Sequence, residues 1–432
     1  MSKKIKQAIS SDSFCYKINE DIIIYEGRFY VYLDKKYRCV GKVYLKMGIP
    51  TSINFKGKII HIKENELTKK LDYYDGIIEI HGYQLASVTI KKIDNFFIKG
   101  YINENYIKSK DTSVDYIYFN IINLDKLPGY LIEHKDKMFA GRIEFETTDY
   151  EIIIDKRYDY TKELKEILKS KNGFITTHIG RIKRKDNSSF KTKNIIDLLE
   201  KISYALSFLC ARRIGISIVN GYTNDINTYR LCIKDIIMPY NFLPSWSDTI
   251  SNHNNIEKYM NLIMKKLEDD YNNLALKRVI DWYIESISNL TIENNIISIQ
   301  IALETLSYII LVQEEKKLSN DEFDNNTAIN NIRMLLESCK LNNNKELMVF
   351  DDKIKERFND GIELIIYLRN KIVHPARKDK IYLSYEDVWN IIQIGTRYIE
   401  LIILKFIGYK GEYSNRLKDR YFGQVERVPW SD

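Results

Sequence analysis

The residues of this chain best suited to chemistry are an arginine and a histidine, Arg369 and His374, in the segment Tyr367–Pro375. An apolar run precedes them, and Pro375 disfavours the α conformation at His374, so the sequence predicts a helix that ends there. Both side chains should then lie near one helix end, with Asn370 one turn before His374. Arginine holds a phosphate at any pH and histidine transfers protons near neutral pH. The pair therefore suits cleavage of a phosphodiester, with neither a metal nor a nucleotide cofactor.

Each candidate residue has a role in the self-cleavage of RNA, in which a 2′-oxygen attacks the neighbouring phosphorus. That reaction needs a proton acceptor, a proton donor and a cation beside the phosphoryl oxygens. His374 can take either proton role, and Arg369 can hold the phosphate through two hydrogen bonds. Asn370 can orient the imidazole or bind a phosphate oxygen. Glu304, in an apolar helix, is a candidate for positioning Arg369 or His374, unless it simply belongs to the wet face of that helix.

Basic residues around the motif are candidates for holding the flanking phosphates of RNA. They are Lys371, Arg377, Lys378 and Lys380. The alternative is that this group is a solvated loop, and that Arg369 and His374 only cap the last carbonyls of the helix. One histidine is a small acid–base set, and two copies of the chain across a two-fold axis would double it. We therefore expect a homodimer, or a higher assembly built from dimers.

The composition sets the broad class of the protein. A length of 432 residues predicts two or three domains, and 44% hydrophobic residues are enough for real cores. The net charge of +7 permits a nucleic-acid partner without demanding one. The five scattered cysteines indicate a reducing, cytoplasmic location, with neither a disulfide framework nor a zinc site. The apolar stretch Tyr398–Tyr409 carries two charges, and it predicts a buried helix instead of a membrane span.

The first half of the chain, residues 1–250, is predicted to be mainly β-structure, as an antiparallel sandwich or barrel. It should also contain helices at Tyr160–Ser170 and at about residues 195–213. The basic segment Ile179–Asn187 is interpreted as a solvated edge strand or loop. The predicted strands are Asp21–Tyr25, Arg28–Leu33, Tyr37–Leu45, Gly76–His81, Leu85–Ile93, Tyr101–Ile107, Tyr116–Leu124, Phe139–Phe145, Ile214–Val219 and Tyr229–Ile237.

The second half, residues 251–432, is predicted to be an all-α bundle. Ser384, followed three residues later by Asp387, fits the signature of a helix N-cap. The predicted helices are Ile256–Asp270, Leu274–Ser288, Ile296–Lys316, Thr327–Cys339, Lys353–Val373 and Ser384–Ile407.

Arg369-Asn370 followed by His374 at a helix end resembles the HEPN superfamily, whose ribonucleases carry an arginine and a histidine separated by four to six residues. Other segments look like the ApeA-like branch of that superfamily, and the resemblance extends over nearly the whole chain. These segments are Ala302–Glu304, Gly408–Arg416 and Glu426–Trp430 in the second half, and Phe55–Lys58, Ile78–Gly82, Val88–Ile90 and Phe119–Leu124 in the first.

The resemblance implies a metal-independent endoribonuclease that acts in bacterial anti-phage defence by abortive infection. RNA is the expected substrate, with transfer RNA as one candidate, and the first half becomes a sensing module for a phage-encoded trigger protein. The superfamily also has inactive members, so a non-catalytic RNA-binding, antitoxin-like or protein-interaction module is the first alternative. A carbohydrate- or protein-recognition protein that works through aromatic-rich strands is the second.

Overall fold

The structure is a computed structural model, in which the chain folds into two compact units. The first, here the β unit, is Met1–Ser203 with Arg213–Phe242, and the second, the helical unit, is Tyr204–Arg212 with Leu243–Asp432. The structure describes residues 5–9, 14, 17–60, 74–94, 96–241, 243–247, 253–288, 291–341, 344–374, 381–418 and 423–431.

The β unit contains a closed barrel and a nine-stranded sheet. Its strands, numbered in chain order, are β1 (Lys6–Gln7), β2 (Ile22–Tyr32), β3 (Lys36–Lys46), β4 (Ser52–Ile59), β5 (Tyr74–Ile80), β6 (Ala86–Ile93), β7 (Phe97–Ile102), β8 (Tyr106–Lys108), β9 (Ser113–Val114), β10 (Tyr116–Ile122), β11 (Tyr130–His134), β12 (Lys137–Glu146), β13 (Tyr150–Lys156), β14 (Thr176–Arg184), β15 (Phe190–Lys191), β16 (Ile218–Thr223) and β17 (Ile226–Ile233). The barrel has the order β2-β3-β4-β7-β6-β5, and the sheet has the order β1-β11-β12-β13-β14-β10-β16-β17-β8. All neighbouring pairs are antiparallel except β1 and β11, and β9 pairs separately with β15. The helices α1 (Lys162–Ser170) and α2 (Ile195–Cys210) follow β13 and β15, with a 3-10 turn at Thr192–Asn194.

A row of three glycines lets the barrel close tightly around its core. Gly27, Gly41 and Gly57 lie opposite one another on β2, β3 and β4. A Cβ atom on Gly57 would come within 2.6 Å of the buried Phe29 ring, and one on Gly41 within 2.0 Å of the Lys56 carbonyl oxygen. Side chains at this row would therefore push the strands apart, and the glycines leave the space that the Phe29 ring fills.

The basic segment Ile179–Asn187, predicted as a solvated edge strand or loop, is a strand as far as Arg184, and residues 185–187 lie in the loop that follows. The strand part is not at an edge of the sheet. It belongs to β14, which lies between β13 and β10 near the middle of the nine-stranded sheet. Ile179 and Ile182 are buried, while Arg181 and Lys183 are half-exposed. Charged residues do not by themselves indicate an edge, because one face of a central antiparallel strand can remain in solvent.

Most of the other predicted strands are strands in the structure, but several have different bounds. Asp21–Tyr25 and Arg28–Leu33 are one strand, β2, which passes through Gly27. The predicted strand Tyr101–Ile107 is wrong, since the chain leaves the barrel at the end of β7 and enters the sheet at β8. Strands β4, β11 and β13 were not predicted. In β13 the charged Asp155 is buried, and its carboxylate accepts hydrogen bonds from the Nε and Nη2 atoms of Arg142, each at 2.7 Å.

The helical unit consists mainly of helices, as predicted, although it also contains a small two-stranded sheet. Its helices are α3 (His253–Leu267), α4 (Asp270–Ser288), α5 (Ile292–Ser307), α6 (Asn320–Asn325), α7 (Ala328–Ser338), α8 (Asp352–Arg357), α9 (Gly361–Val373) and α10 (Tyr385–Phe406), with a π-helical continuation of α5 at Tyr308–Glu314 and a 3-10 turn at Asn344–Val349. Near the end of the chain β18 (Glu412–Tyr413) pairs with β19 (Glu426–Arg427), so the expectation of an all-α bundle is corrected.

Two helix predictions have clear outcomes. The capping signature at Ser384 is confirmed, since its hydroxyl accepts from the Asp387 N–H while the Asp387 carboxylate accepts from the Ser384 N–H. The predicted helix Lys353–Val373 is instead two helices, because Phe358 is extended and Asp360 caps a new helix. A short capping side chain can start a helix within a continuous apolar pattern, and periodicity alone does not reveal it.

One helix in the described residues is long and apolar enough to cross a membrane by length and composition. It is the combined helix Ile292–Glu314, with a mean hydropathy of 1.7 over its most apolar window, and 72% of that window is buried inside the fold. The late apolar stretch that was predicted to be a buried helix lies mostly in α10, where Tyr398 through Leu404 are buried.

Candidate active site

Helix α9 carries the arginine–histidine motif and ends where the sequence predicted. Its first N–H groups are capped by the carboxylate of Asp360, which accepts from the Glu363 N–H at 2.8 Å. Its last helical residue is Val373, and His374 follows as the C-cap with φ −124°. The His374 N–H still donates to the Asn370 carbonyl oxygen at 2.9 Å. This hydrogen bond fixes the backbone of His374 at the helix end, and its side chain lies beyond the last helical residue.

The three motif side chains lie within the last turn of α9 and just beyond it. Arg369 and Asn370 are half-buried, and His374 is exposed. The Arg369 Nη1 atom donates to the Asn370 Oδ1 atom at 3.1 Å. The Asn370 oxygen therefore contacts the guanidinium, while its predicted role of orienting the imidazole or binding a phosphate oxygen stays a prediction. The end of α9 thus carries an arginine that contacts its neighbour's side chain and, five residues later, an exposed histidine.

Glu304 lies on α5, which packs against α9, but its hydrogen bond runs along its own helix. Its Oε1 atom accepts from the Gln300 Nε2 atom at 2.5 Å. Among the described residues, no hydrogen bond joins Glu304 to Arg369 or His374. The positioning role of this carboxylate stays a prediction.

The predicted phosphate-binding lysine Lys371 also has a structural task. Its Nζ atom donates to the Ile381 carbonyl oxygen at 2.8 Å, which ties the end of α9 to the segment that leads into α10. The other three predicted phosphate ligands, Arg377, Lys378 and Lys380, lie outside the described residues.

A group of exposed aromatic residues close to this tie was not predicted from the sequence. Tyr382 is 87% exposed, Tyr385 74% and Trp389 51%. Tyr385 and Trp389 are four residues apart on α10 and so share one face of that helix. A signal was present, because both fall off the buried stripe that begins at Ile391. Exposed aromatic rings of this kind can stack on nucleic-acid bases.

A buried ionic cluster lies against the start of the motif helix. The Arg397 Nη1 atom donates to Glu346 Oε1 at 2.6 Å, and the Tyr398 hydroxyl donates to Glu346 Oε2. A Cβ atom on Gly361, the first residue of α9, would lie 2.9 Å from the Tyr398 hydroxyl and 3.6 Å from Glu346 Oε2. Burial raises the pKa of Glu346 to about 7, and the charge of Arg397 opposes that rise. The cluster supports the end of α9 opposite to the motif.

A second ionic contact holds the same end of the helix from another side. Arg333, on α7, donates from Nε to the Asp360 carboxylate at 2.6 Å and from Nη2 to the Glu363 carboxylate. Asp360 therefore caps α9 and binds Arg333 at once. Among the described residues, no group of three or more histidine, cysteine, aspartate or glutamate side chains is placed to hold a metal ion.

Comparisons with known proteins match both halves of the chain. The model of the YopA central domain matches residues 109–243, and the model of the YopA C-terminal domain matches residues 269–427. The SPbeta prophage-derived uncharacterized protein YopA of Bacillus subtilis (strain 168) is 30% identical over 448 residues, which cover 98% of this chain and 98% of that protein. No solved structure matches.

Proposed function

This chain belongs to the YopA family, and we propose that it is a metal-independent endoribonuclease of the HEPN type. The observation that carries the proposal is the end of α9, where Asn370 holds the guanidinium of Arg369 and an exposed His374 follows at the helix terminus. The ApeA-like resemblance of the sequence adds to it. A motif that only capped a helix would not need an arginine held by its neighbour's side chain.

The reaction uses each motif residue in a defined role. Arg369 binds two non-bridging oxygens of the scissile phosphate and stabilises the charge that grows on them. The 2′-hydroxyl loses its proton and its oxygen attacks phosphorus, while the bond from phosphorus to the 5′-oxygen breaks and that oxygen gains a proton. His374 serves one of these two proton transfers. The products are a 2′,3′-cyclic phosphate and a 5′-hydroxyl.

The second proton transfer requires another group, and a second copy of the chain can supply it. A homodimer with facing α9 ends would place two histidines and two arginines around one phosphate. If so, adding an excess of His374→Ala protein to the wild type should lower the activity by more than dilution does, because each mixed pair keeps only one of the two histidines. A strictly monomeric protein with full activity at high dilution would exclude this arrangement.

The exposed aromatic residues of α10 and the segment before it provide the neighbouring surface for the substrate. Tyr382, Tyr385 and Trp389 can stack on unpaired bases, which favours single-stranded loops over double helices. A transfer-RNA anticodon loop is one substrate with that character. Lys371 and the basic residues that follow it would hold the flanking phosphates.

Anti-phage defence by abortive infection is the biological role that we propose for this activity. The similar protein of Bacillus subtilis is described as prophage-derived, and a resident prophage benefits when its host stops a competing phage. The β unit would then restrain the ribonuclease until a phage-encoded trigger protein binds. Its barrel and sheet offer exposed strand surfaces for such a partner.

The decisive experiment is cleavage of total RNA by the purified protein in the presence of EDTA, followed by mapping of the ends. Arg369→Ala and His374→Ala should each lower the rate by about a hundredfold or more. Arg369→Lys should retain only part of the activity, because lysine lacks the two-pronged geometry. His81→Ala removes another exposed histidine, in the β unit, and should have no effect. Undiminished cleavage by a folded His374→Ala protein, or a strict requirement for Mg²⁺, would refute the proposal. RNA binding without cleavage by the wild type would favour the non-catalytic alternative.

A further inference from the structure

The β unit contains a cavity that the proposed ribonuclease reaction does not use. Its volume is about 280 Å³. One wall is apolar and comes from Ile22, Ile23 and Ile24 at the start of β2. The rest of the lining comes from Tyr83, β16 and β17. It includes the polar or aromatic residues Tyr83, Asn220, Tyr222, Asn227 and Arg230 and the apolar residues Ile218, Val219, Leu231 and Cys232. The volume lies just below the range of about 300–1,000 Å³ found for small-molecule sites. The cavity can therefore take a planar ring with part of an attached group.

Arg230 gives the cavity a positive charge at a solvent-exposed position. Its Nε atom donates to Asn227 Oδ1 at 3.2 Å, so the guanidinium is oriented by a neighbouring lining residue. It also faces the phenol of Tyr83. Burial raises the pKa of Tyr83, and the charge of Arg230 opposes that rise. The Tyr83 hydroxyl in turn donates to the carbonyl oxygen of Ile24, another lining residue, at 3.4 Å. An exposed, oriented guanidinium is suited to a phosphate.

The strand register continues this wall as an ordered row across the sheet. Arg181, Tyr118, Asn220 and Arg230 lie opposite one another on β14, β10, β16 and β17. Directly opposed residues point to the same face, so this row presents cation, ring, amide and cation in sequence.

A second row lies two residues further along β14, β10 and β16, and three residues further along β17. It consists of Lys183, Tyr116, Tyr222 and Asn227. The rings of Tyr116 and Tyr222 stack with centroids 5.1 Å apart, and Tyr118 packs against both at 5.1 and 5.5 Å. The pairing of β16 with β17 shifts between Gly221 and Tyr222, at the point where the sheet borders the cavity. Such a bulge redirects side chains and is frequent beside binding sites.

We infer that this cavity and the adjoining rows bind a nucleotide, with the base between the isoleucine wall and Tyr222 and the phosphate on Arg230. The amides of Asn220 and Asn227 offer both donors and acceptors for the edge of the base. The combination of tyrosine rings with cations is the composition of stacking surfaces for nucleotides and single strands. Aromatic rings and amides alone would also suit a neutral sugar. The cations favour a nucleotide, because its phosphate is negatively charged. The site is separate from the motif on α9 and does not depend on the proposed ribonuclease activity.

The test measures binding, without any reading of RNA cleavage. The full-length protein is titrated in a calorimeter with each of the four ribonucleoside monophosphates and with a short 2′-O-methylated oligonucleotide, whose blocked 2′-oxygen cannot attack phosphorus. Inorganic phosphate and glucose are the comparison ligands. A nucleotide or the oligonucleotide should bind, and phosphate or glucose alone should bind much more weakly. Tighter binding of the oligonucleotide that Arg230→Gln weakens would identify a strand as the source of the nucleotide, since binding at the α9 end does not involve Arg230. Equal binding of the oligonucleotide and the monophosphate would identify the free form.

Matched variants make the site assignment falsifiable. Arg230→Gln should weaken binding by about tenfold or more, since a charge-assisted contact is lost. Arg28→Gln changes another exposed arginine on a strand of the β unit, outside the cavity lining, and should bind as the wild type does. Asn227→Ala provides a second test at the lining should the Arg230 variant fold poorly. The inference is overturned if no nucleotide or oligonucleotide binds, if phosphate binds equally well, or if a folded Arg230→Gln or Asn227→Ala protein binds undiminished.

Discussion

Replacing Glu346 by glutamine should change how the stability of the protein depends on pH. In the folded chain burial raises the pKa of this carboxyl to about 7, against an ordinary value of 4.5. At 1.36 kcal/mol for each pH unit, that difference corresponds to about 3 kcal/mol. Because the folded pKa lies above the unfolded one, the stabilisation is fully present below pH 4.5 and is lost as the pH rises through about 7. Glutamine resembles the protonated acid and cannot ionise.

The assay is urea unfolding of the wild type and Glu346→Gln at several pH values from 4.5 to 8. Other titrating groups contribute equally to both proteins and cancel in the difference. The variant should gain about 3 kcal/mol relative to the wild type across this range. Arg397→Met removes the charge that opposes the rise, so it should move the loss to higher pH. A difference between wild type and Glu346→Gln that stays constant from pH 4.5 to 8 would show that the carboxyl is already ionised at the acidic end, contrary to the reasoning.

Three further predictions concern the helical unit. Asp360→Ala should lower the free energy of unfolding by about 1–2 kcal/mol, measured by urea unfolding, because it removes the cap of α9 and a partner of Arg333. Arg416→Met should lower it by about 3–5 kcal/mol, because Glu400, whose side chain is 1% exposed, would keep a buried charge without its ion-pair partner; a loss below 1 kcal/mol would contradict this. Trp389→Ala should raise KM for single-stranded RNA with little change in kcat, whereas Tyr271→Ala, at another exposed aromatic of the unit, should change neither.

The sequence predicted the features that depend on short-range chemistry. Pro375 marked the end of α9, and Ser384 with Asp387 marked the start of α10. It did not reveal the break before Asp360, because the cap that starts α9 is one polar residue within an otherwise continuous helical pattern. The support of the motif helix by Glu346 was also beyond the sequence, since this contact joins positions far apart in the chain.

The same distinction applies to β14, whose charges predicted an edge strand or loop although the strand lies in the middle of the sheet. Charge at Arg181 and Lys183 describes only the side of the strand that faces solvent, and the number of neighbouring strands is set by pairings with β13 and β10. Once the register is known, the charges of β14 fall in rows with the tyrosines of β10 and the amides of β16 and β17. In the sequence these charges indicate only exposure to solvent. In the folded sheet they are aligned with tyrosines and asparagines from neighbouring strands.

The division of the chain into units also decides how the regulatory role of the β unit can be tested. A fragment that starts at Ser251, the boundary expected from the sequence, would lack Tyr204–Arg212, which belongs to the helical unit. The Ala205 carbonyl oxygen in that segment accepts from the buried Tyr259 hydroxyl at 2.8 Å. Phe208 packs edge-on against Tyr283 with ring centroids 5.1 Å apart. If expression of such a fragment did not arrest growth, the cause could be the damaged core of the helical unit as well as the absence of the β unit. Substitutions on the surface of the β unit within the full chain avoid this ambiguity, because they leave every core contact of the helical unit in place.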